Sequence, residues 1–147
     1  MKILIVDDSS TMRRIIINTL SRIGYTDVVE GDNGKSGLER LGQGGVEMII
    51  TDWNMPEMDG LEFVKTVRTQ NPVIPILMVT ALNELGDIER AVQAGADDFL
   101  TKPVHRLELT TRVRSLLRVR HLTNQRDRLL AYLEEVDGEA VKSLGLK

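Results

Sequence analysis

The chain has 147 residues, of which 41% are hydrophobic and 28% charged, which suits one compact domain with a modest appendage. A formal net charge of -3 argues against a protein that wraps nucleic acid, and the lack of cysteine excludes disulfides, zinc–thiolate sites and thiol catalysis. No apolar run approaches the roughly 20 residues needed to cross a bilayer. The apolar start of the chain ends at Asp7, too early for a secretory signal, so we expect a cytoplasmic protein.

Five short apolar runs divide the first hundred residues of the chain. The first, third and fourth are continuous runs of Ile, Val, Leu and Met without polar alternation. Such runs are typical of strands that are buried on both faces of a parallel sheet. The predicted strands are residues 3–6, 28–29, 48–50, 76–79 and 99–100.

Helical patterns alternate with these strands. Apolar residues recur at i, i+3 and i+4 spacing over residues 12–23, where Gly24 is a stop signal and Ser9 or Ser10 can cap the start. Shorter patterns predict three more helices, near residues 38–41, 61–68 and 85–92. Because right-handed crossovers join such units, the order predicts an α/β fold with a doubly wound, five-stranded parallel sheet.

The fifth helical pattern is unusually long. It opens near residues 104–109 and meets no Gly or Pro before Gly138, which predicts a C-terminal helix of about 30 residues extending beyond the domain. We therefore divide the chain into a domain over residues 1–120 and a helical extension or linker over residues 121–147. Residues at alternating spacings of four and three form one stripe along this predicted helix. They are Ser115, Val119, Leu122, Arg126, Leu129, Leu133 and Val136.

Polar side chains follow four of the predicted strands, at the point where each strand ends. Asp7 and Asp8 follow the first strand and Asp52 the third. Thr80 follows the fourth strand and Lys102 the fifth. The carboxyl ends of parallel strands share one edge, where open α/β sheets bind their ligands. We therefore expect these side chains to form one site.

The chemistry of this site follows from its residue types. Three carboxylates at one edge repel one another unless a cation neutralises them. Oxygen ligands without His or Cys favour Mg²⁺, which keeps several waters and often bridges to phosphate. A lysine and a threonine hydroxyl suit a phosphoryl group, and an aspartate can be the nucleophile that forms an acyl phosphate. The site therefore predicts Mg²⁺-dependent phosphoryl transfer.

These motifs resemble those of the CheY-like receiver domains of bacterial two-component response regulators, over residues 1 to about 120. The resemblance implies a flavodoxin-like strand order, 2-1-3-4-5. It also implies a signalling protein that accepts a phosphoryl group and catalyses only its own phosphorylation and dephosphorylation. The matching motifs are Asp7-Asp8, Thr51-Asp52-Trp53-Asn54-Met55-Pro56, Asp59-Gly60, Thr80-Ala81 and Lys102-Pro103.

The resemblance implies a role for each residue around the phosphoacceptor Asp52. Asp8 and Asp52 bind Mg²⁺ directly, and Asp7 acts largely through an ordered water. The backbone carbonyl of Asn54 supplies a further ligand. Lys102 pairs with the phosphoryl oxygens.

The resemblance also implies a switch. Thr80 moves inward to hydrogen-bond the phosphoryl group, and Phe99 matches the aromatic switch position, with a ring but no hydroxyl. The Lys102–Pro103 peptide bond is expected to be cis, which turns the lysine into the site. Trp53 directly follows the nucleophile, and we expect it to be exposed near the metal.

Residues 121–147 are too few for an output domain, which needs at least about 50 residues. A regulatory helix, a dimerising coiled coil, a linker to an output domain and a fold back onto the chain all remain open. Seven arginines lie between Arg106 and Arg128 without interleaved aromatics, which favours a solvated helix face over a nucleic-acid site.

The expected partners follow from this reading. They are a histidine kinase or phosphotransfer protein, a downstream output protein or output domain, and a second copy of the chain. The last would form a phosphorylation-dependent homodimer through the C-terminal helix.

Two other functions compete with the signalling switch. A haloacid-dehalogenase-like phosphatase also forms an aspartyl phosphate, but it places a second Asp two residues after the nucleophile and carries a substrate cap. This chain has Asn54 at that position. A receiver-like scaffold would bind partners without being phosphorylated, and the intact acidic site argues against it.

Overall fold

The computed structural model describes residues 1–81, 85–120, 127 and 129–136, and strands and helices alternate along them. None of the helices in these ranges is both long enough and apolar enough to span a membrane. The elements in chain order are β1 (Lys2–Val6), α1 (Ser10–Arg22), β2 (Asp27–Gly31), α2 (Gly34–Gly42), β3 (Val46–Thr51), α3 (Gly60–Gln70), β4 (Ile76–Thr80), α4 (Leu85–Ala94), β5 (Asp98–Thr101) and α5 (Arg106–Val119).

The five strands form one parallel sheet in the order β2-β1-β3-β4-β5. The predicted doubly wound fold and its strand order are confirmed. Ile5 of β1 lies beside Glu30 of β2 on one side and Ile50 of β3 on the other. Because the direction of strand addition reverses at β1, a crevice opens between β1 and β3 at the carboxyl edge.

Helices cover both faces of the sheet because successive side chains of a buried strand point to opposite faces. Ile3 and Ile5 of β1 pack in a cluster with residues of α1 and α5, which we call the α1–α5 cluster. Leu4 and Val6 pack in a second cluster, which we call the α3–α4 cluster, where Phe63 is fully buried. The central strands are thus held from both sides, which fixes the positions of their carboxyl ends.

Capping side chains determine where two helices begin at this edge. Ser9 caps α1, and its Oγ accepts the N–H of Met12 at 3.2 Å. Asp59 caps α3, and its Oδ1 accepts the N–H of Glu62 at 2.9 Å. Each cap satisfies a backbone donor that the first helical turn leaves without a partner. The caps therefore stabilise the loops that follow β1 and β3.

A C-terminal helix is present, but α5 is shorter than the predicted length of about 30 residues. It has 14 residues, and Arg120 is its C-cap. Ser115 and Val119, which were expected on a protruding stripe, are buried in the body of the domain. Leu122 and Arg126 lie outside the described residues.

Residues 129–136 are helical and lie against the domain rather than beyond it. Tyr132 is 5% exposed and packs in the α1–α5 cluster. The prediction of a continuous protruding helix is wrong. Such a helix would leave the large apolar ring of Tyr132 in water, whereas packing the ring against the domain gains the free energy of its burial.

Candidate functional site

The acidic residues lie at the carboxyl edge of the sheet, where β1 and β3 end side by side. Val6 and Thr51 are register partners, and the N–H of Asp52 donates to the carbonyl of Val6 at 2.8 Å. Asp7 directly follows Val6, so backbone pairing alone places Asp7 next to Asp52. The crevice at the reversal of strand order is therefore lined by carboxylates.

The carboxylates of Asp7, Asp8 and Asp52 converge, with one oxygen from each lying within 4.8 Å of the others. Asp7 and Asp52 are buried, whereas Asp8 is exposed. Backbone groups orient the two buried side chains. Asp7 Oδ1 accepts the N–H of Ser9 at 2.8 Å, and Asp52 Oδ1 accepts the N–H of Trp53 at 2.7 Å.

Lys102 brings a positive charge to this cluster from the end of β5. Its Nζ donates to Asp52 Oδ2 at 3.1 Å and to Asp7 Oδ2 at 3.3 Å. Its backbone N–H donates to the carbonyl of Thr80 at 2.8 Å, which ties Lys102 to the end of β4. The Lys102–Pro103 peptide bond is cis. One ammonium group thus bridges two carboxylates from different strands.

The crowding of charges shifts two pKa values. Burial, and then the Asp52 carboxylate, raise the pKa of the Asp7 carboxyl, although the N–H of Ser9 and the charge of Lys102 oppose them. Burial alone would lower the pKa of the Lys102 ammonium, but Asp52 and Asp7 together outweigh burial and raise it. Lys102 therefore stays charged at neutral pH and can pair with an anionic group.

Thr80, Phe99 and Asn54 are the other residues that the sequence predicts for this site. Thr80 is buried at the end of β4 and is the register partner of Thr101, the residue before Lys102. Phe99 is half-buried on β5 and packs against the α3–α4 cluster. Asn54 is exposed two residues after Asp52. The structure thus joins Asp7 and Asp52 to Lys102 in direct contact and places Thr80 at the neighbouring strand end.

The ligand atoms of this cluster suit Mg²⁺. Three carboxylate oxygens lie close enough to share one ion, and hard oxygen donors are the ligands that Mg²⁺ prefers. Because Asp8 is exposed, the outer side of the cluster has room for the waters that Mg²⁺ retains. The cluster can therefore hold a divalent cation beside a nucleophilic carboxylate.

A model of the response regulator receiver domain family matches residues 3–114 of the chain. The chain belongs to this family. The matched region contains β2 to β5, all of β1 except Lys2, and the first part of α5, and the resemblance inferred from the motifs is confirmed. Receiver domains are signalling phosphoacceptors that bind Mg²⁺ at an acidic pocket and interact with histidine kinases and with output or effector proteins.

CheY proteins are similar to this receiver domain over most of their length. Chemotaxis protein CheY1 of Helicobacter pylori (strain J99 / ATCC 700824) is 50% identical over 106 residues, which are 70% of this chain and 86% of that protein. The chemotaxis protein CheY homolog of Campylobacter jejuni subsp. jejuni is 48% identical over 106 residues, 70% of this chain and 82% of that protein. The chemotaxis response regulator CheY4 of Vibrio cholerae has a solved structure with a TM-score of 0.70 at 35% identity, covering 80% of this chain and 96% of that chain.

Trp53 of the receiver domain is buried, so the prediction of an exposed indole is wrong. Its side chain is 4% exposed and packs in the α3–α4 cluster. The guanidinium carbon of Arg90, on α4, lies 5.1 Å from the ring centroid and makes a cation–π contact with it. The indole is shielded because it packs among core side chains and under Arg90, although it follows a strand end.

Two contacts that build the receiver site were not predicted, although Gly60 belongs to one of the matching motifs. Arg13 donates from Nη1 to the carbonyl of Asp7 at 2.6 Å and from Nε to Glu30 Oε1 at 2.9 Å. Gly60 starts α3 where an added Cβ would lie 1.9 Å from the carbonyl oxygen of Asp52. Arg13 lies in the first turn of α1, the helix that follows Asp7, so its sequence position could have indicated its contact with Asp7. The approach of Gly60 is a tertiary contact that no spacing in the sequence indicates.

Proposed function

We propose that Asp52 is the phosphoacceptor of this receiver domain and takes its phosphoryl group from a histidine kinase or a phosphotransfer protein. The position of Asp52 carries the proposal. Its carboxylate is buried, lies 3.1 Å from Lys102 Nζ and belongs to a cluster of three acids. Modification of Asp52 by a small phosphodonor in the presence of Mg²⁺, measured by intact mass, tests the assignment.

In the proposed reaction a carboxylate oxygen of Asp52 attacks the phosphorus atom while the bond from phosphorus to the donor nitrogen breaks. The electron pair of that bond leaves with the donor imidazole, and an acyl phosphate forms on Asp52. The Lys102 ammonium and the Thr80 hydroxyl stabilise the charge on the phosphoryl oxygens. Attack of water on the phosphorus later breaks the bond between phosphorus and the Asp52 oxygen, which releases inorganic phosphate and restores the carboxylate. The domain thus catalyses only its own phosphorylation and dephosphorylation.

The same residues are proposed to hold Mg²⁺. Asp8 and Asp52 would bind the ion directly, Asp7 largely through a water, and Asn54 through its backbone carbonyl. When bound, the ion supplies positive charge that offsets the carboxylates and the phosphoryl oxygens. The N–H groups of Ser9 and Trp53 keep two of the carboxylates oriented before any ion arrives.

The output of the proposed switch is a changed surface. Thr80 would move toward the phosphoryl group, and Phe99 on the adjacent strand would respond to the space that Thr80 leaves. A downstream output protein or an output domain would recognise the result. In this proposal residues 1–120 are the receiver domain, and residues 121–147 are an extension.

Replacing Asp8 with Asn tests the ligand assignment. We expect weaker Mg²⁺ binding and a free energy of unfolding without Mg²⁺ that rises by about 0.5–1 kcal/mol, because one of three repelling carboxylates is removed and solvent screens the exposed group in part. Thermal melts with Mg²⁺ and with a chelator measure both effects. The matched control is Asp27→Asn, an exposed acid at the start of β2. A lower melting temperature of Asp8→Asn in chelator would contradict the repulsion account.

A weak homodimer through the C-terminal helix stays a prediction. Leu129 and Leu133 are 52% and 47% exposed, which leaves part of the apolar stripe for a second copy. Because Ser115 and Val119 of the stripe are buried in the domain, the exposed part is short, so we expect a dissociation constant in the micromolar range that phosphorylation lowers.

Sedimentation of the full chain and of a chain ending at Arg120, each with and without Mg²⁺ and beryllofluoride, measures this dimer. We expect only the full chain to associate, and to associate more strongly with beryllofluoride. If both proteins are equally monomeric under every condition, the dimer prediction is wrong.

A further inference from the structure

The helical residues 129–136, which we call the C-terminal segment, cover one side of α5. Tyr132 is the residue that anchors the segment, since its side chain packs in the α1–α5 cluster with Leu116 and Val119. Ala131 and Val136 are partly buried against the same cluster. The segment therefore occupies a surface of the receiver domain that would otherwise be open to a partner.

A polar cluster fixes this anchor, and we call it the Asp98 clamp. The hydroxyl of Tyr132 donates to Asp98 Oδ2. Arg112 Nη1 donates to the same carboxylate oxygen at 2.5 Å and to the Tyr132 oxygen at 3.3 Å. Burial, and then the Asp98 carboxylate, raise the pKa of the Tyr132 phenol, so it keeps the proton that it donates. The clamp thus joins the C-terminal segment to β5 and α5.

The rest of the contact is loosely packed. A cavity of about 180 Å³ lies between the segment and the domain, lined in part by Val92, Ala96 and Leu129. Leu129 and Leu130 remain about half exposed, at 52% and 51%. An exposed ion pair adds little, and Arg118 and Glu135 form such a pair at 2.7 Å. Docking therefore depends largely on Tyr132 and can be reversed when the clamp is disturbed.

The clamp and the acidic site share one short strand. Asp98 is the first residue of β5, and Thr101 is its last and the register partner of Thr80. Lys102 follows directly and bridges Asp7 and Asp52. Asp98 and Lys102 are therefore about 13 Å apart along an extended chain. A shift of β5 at Lys102 can thus displace Asp98 in the clamp.

We propose that the C-terminal segment is an autoinhibitory latch, docked through Tyr132 while Lys102 bridges the two carboxylates and released when Asp52 is phosphorylated. The inference rests on the proposed function of Asp52. Phosphoryl oxygens on Asp52 lie further from the sheet edge than the carboxylate oxygens that Lys102 now contacts. Lys102 would move outward to reach them, and in this proposal a shift of β5, which ends beside Lys102, carries the change to the clamp. The clamp resists that shift, and linkage makes the effect reciprocal: release of Tyr132 promotes phosphorylation as phosphorylation promotes release.

The test uses the full chain with Tyr132→Phe, which removes the hydroxyl of the clamp and keeps the buried ring. Tyr25→Phe is the matched control, since Tyr25 packs against the α1–α5 cluster. We expect beryllofluoride with Mg²⁺ to bind about fivefold more tightly to Tyr132→Phe than to the wild type, and with wild-type affinity to Tyr25→Phe.

Amide hydrogen exchange provides the reciprocal measurement. In the wild type, at a concentration where the protein is monomeric, residues 129–136 should exchange about fivefold faster with Mg²⁺ and beryllofluoride than with Mg²⁺ alone. Equal beryllofluoride affinities in all variants, or exchange that is unchanged or slowed by beryllofluoride, would overturn the latch and leave the role of Asp52 intact. No modification of Asp52 by acetyl phosphate and Mg²⁺ in any variant would overturn the proposed function, and the latch with it.

Discussion

Asp52→Asn is expected to abolish modification of the receiver domain by acetyl phosphate and Mg²⁺. An amide has nearly the size of the carboxylate but lacks the anionic oxygen that attacks phosphorus. It can still accept the N–H of Trp53, which Asp52 Oδ1 accepts at 2.7 Å, so the loop after β3 should keep its conformation. Intact-mass spectrometry should show one added phosphoryl group on the wild type and none on the variant.

The control for this prediction is Asp27→Asn, the same chemical change at an exposed acid of β2. It should be modified once, at the wild-type rate, because Asp27 begins the strand whose other end faces the site. Equal modification of Asp52→Asn and the wild type would show that another residue is the acceptor, and the assignment of Asp52 would fail.

Gly60→Ala should destabilise the domain by about 3 kcal/mol, because the core around this position cannot make room. An added Cβ at Gly60 would lie 1.9 Å from the carbonyl oxygen of Asp52 and 2.8 Å from Cα of Trp53. These atoms belong to backbone, and Asp52 is held by its own N–H bond to β1. Relief of the clash would therefore move Asp52, and phosphorylation should slow as well. Chemical denaturation and acetyl phosphate modification measure the two effects.

Gly42→Ala is the matched control, at the last residue of α2, where nothing lies within 4 Å of an added Cβ. It should leave phosphorylation unchanged and be neutral or stabilising by up to about 1 kcal/mol, since alanine loses less conformational entropy than glycine on folding. Similar losses of stability in Gly60→Ala and Gly42→Ala would contradict this prediction. They would show that the close approach of Gly60 to Asp52 does not set the free energy of unfolding.

The fold could be predicted because the buried strands have an unambiguous pattern. A run such as Ile3 to Val6 is apolar on both faces, which only a strand between two layers of helices explains. The acids could be placed together for a related reason. In a parallel sheet, every residue that follows a strand comes to the same edge. Asp7 and Asp52 meet there because β1 and β3 are also neighbours in the sheet.

The sequence could not show where α5 ends, because helical periodicity continues past Val119 with no Gly or Pro to stop it. The end of the helix depends on a tertiary contact, the burial of Tyr132 against the α1–α5 cluster. The position of Trp53 was missed for the same reason. Its side chain is covered by Arg90, which lies 37 residues further along the chain, and no local pattern joins the two.

The strand order also has a consequence for synthesis on the ribosome, where the N-terminal part of a chain emerges first. β1 pairs with β2 and with β3, so the backbone pairing among these three strands is complete at Thr51. Asp7, Asp8 and Asp52 can therefore come together before Lys102 has been added to the chain. During that interval the nascent protein holds three acids without the lysine that later bridges two of them. Dissolved cations can supply the positive charge that Lys102 does not yet provide, so the ionic conditions of synthesis bear on how readily the first half of the sheet assembles.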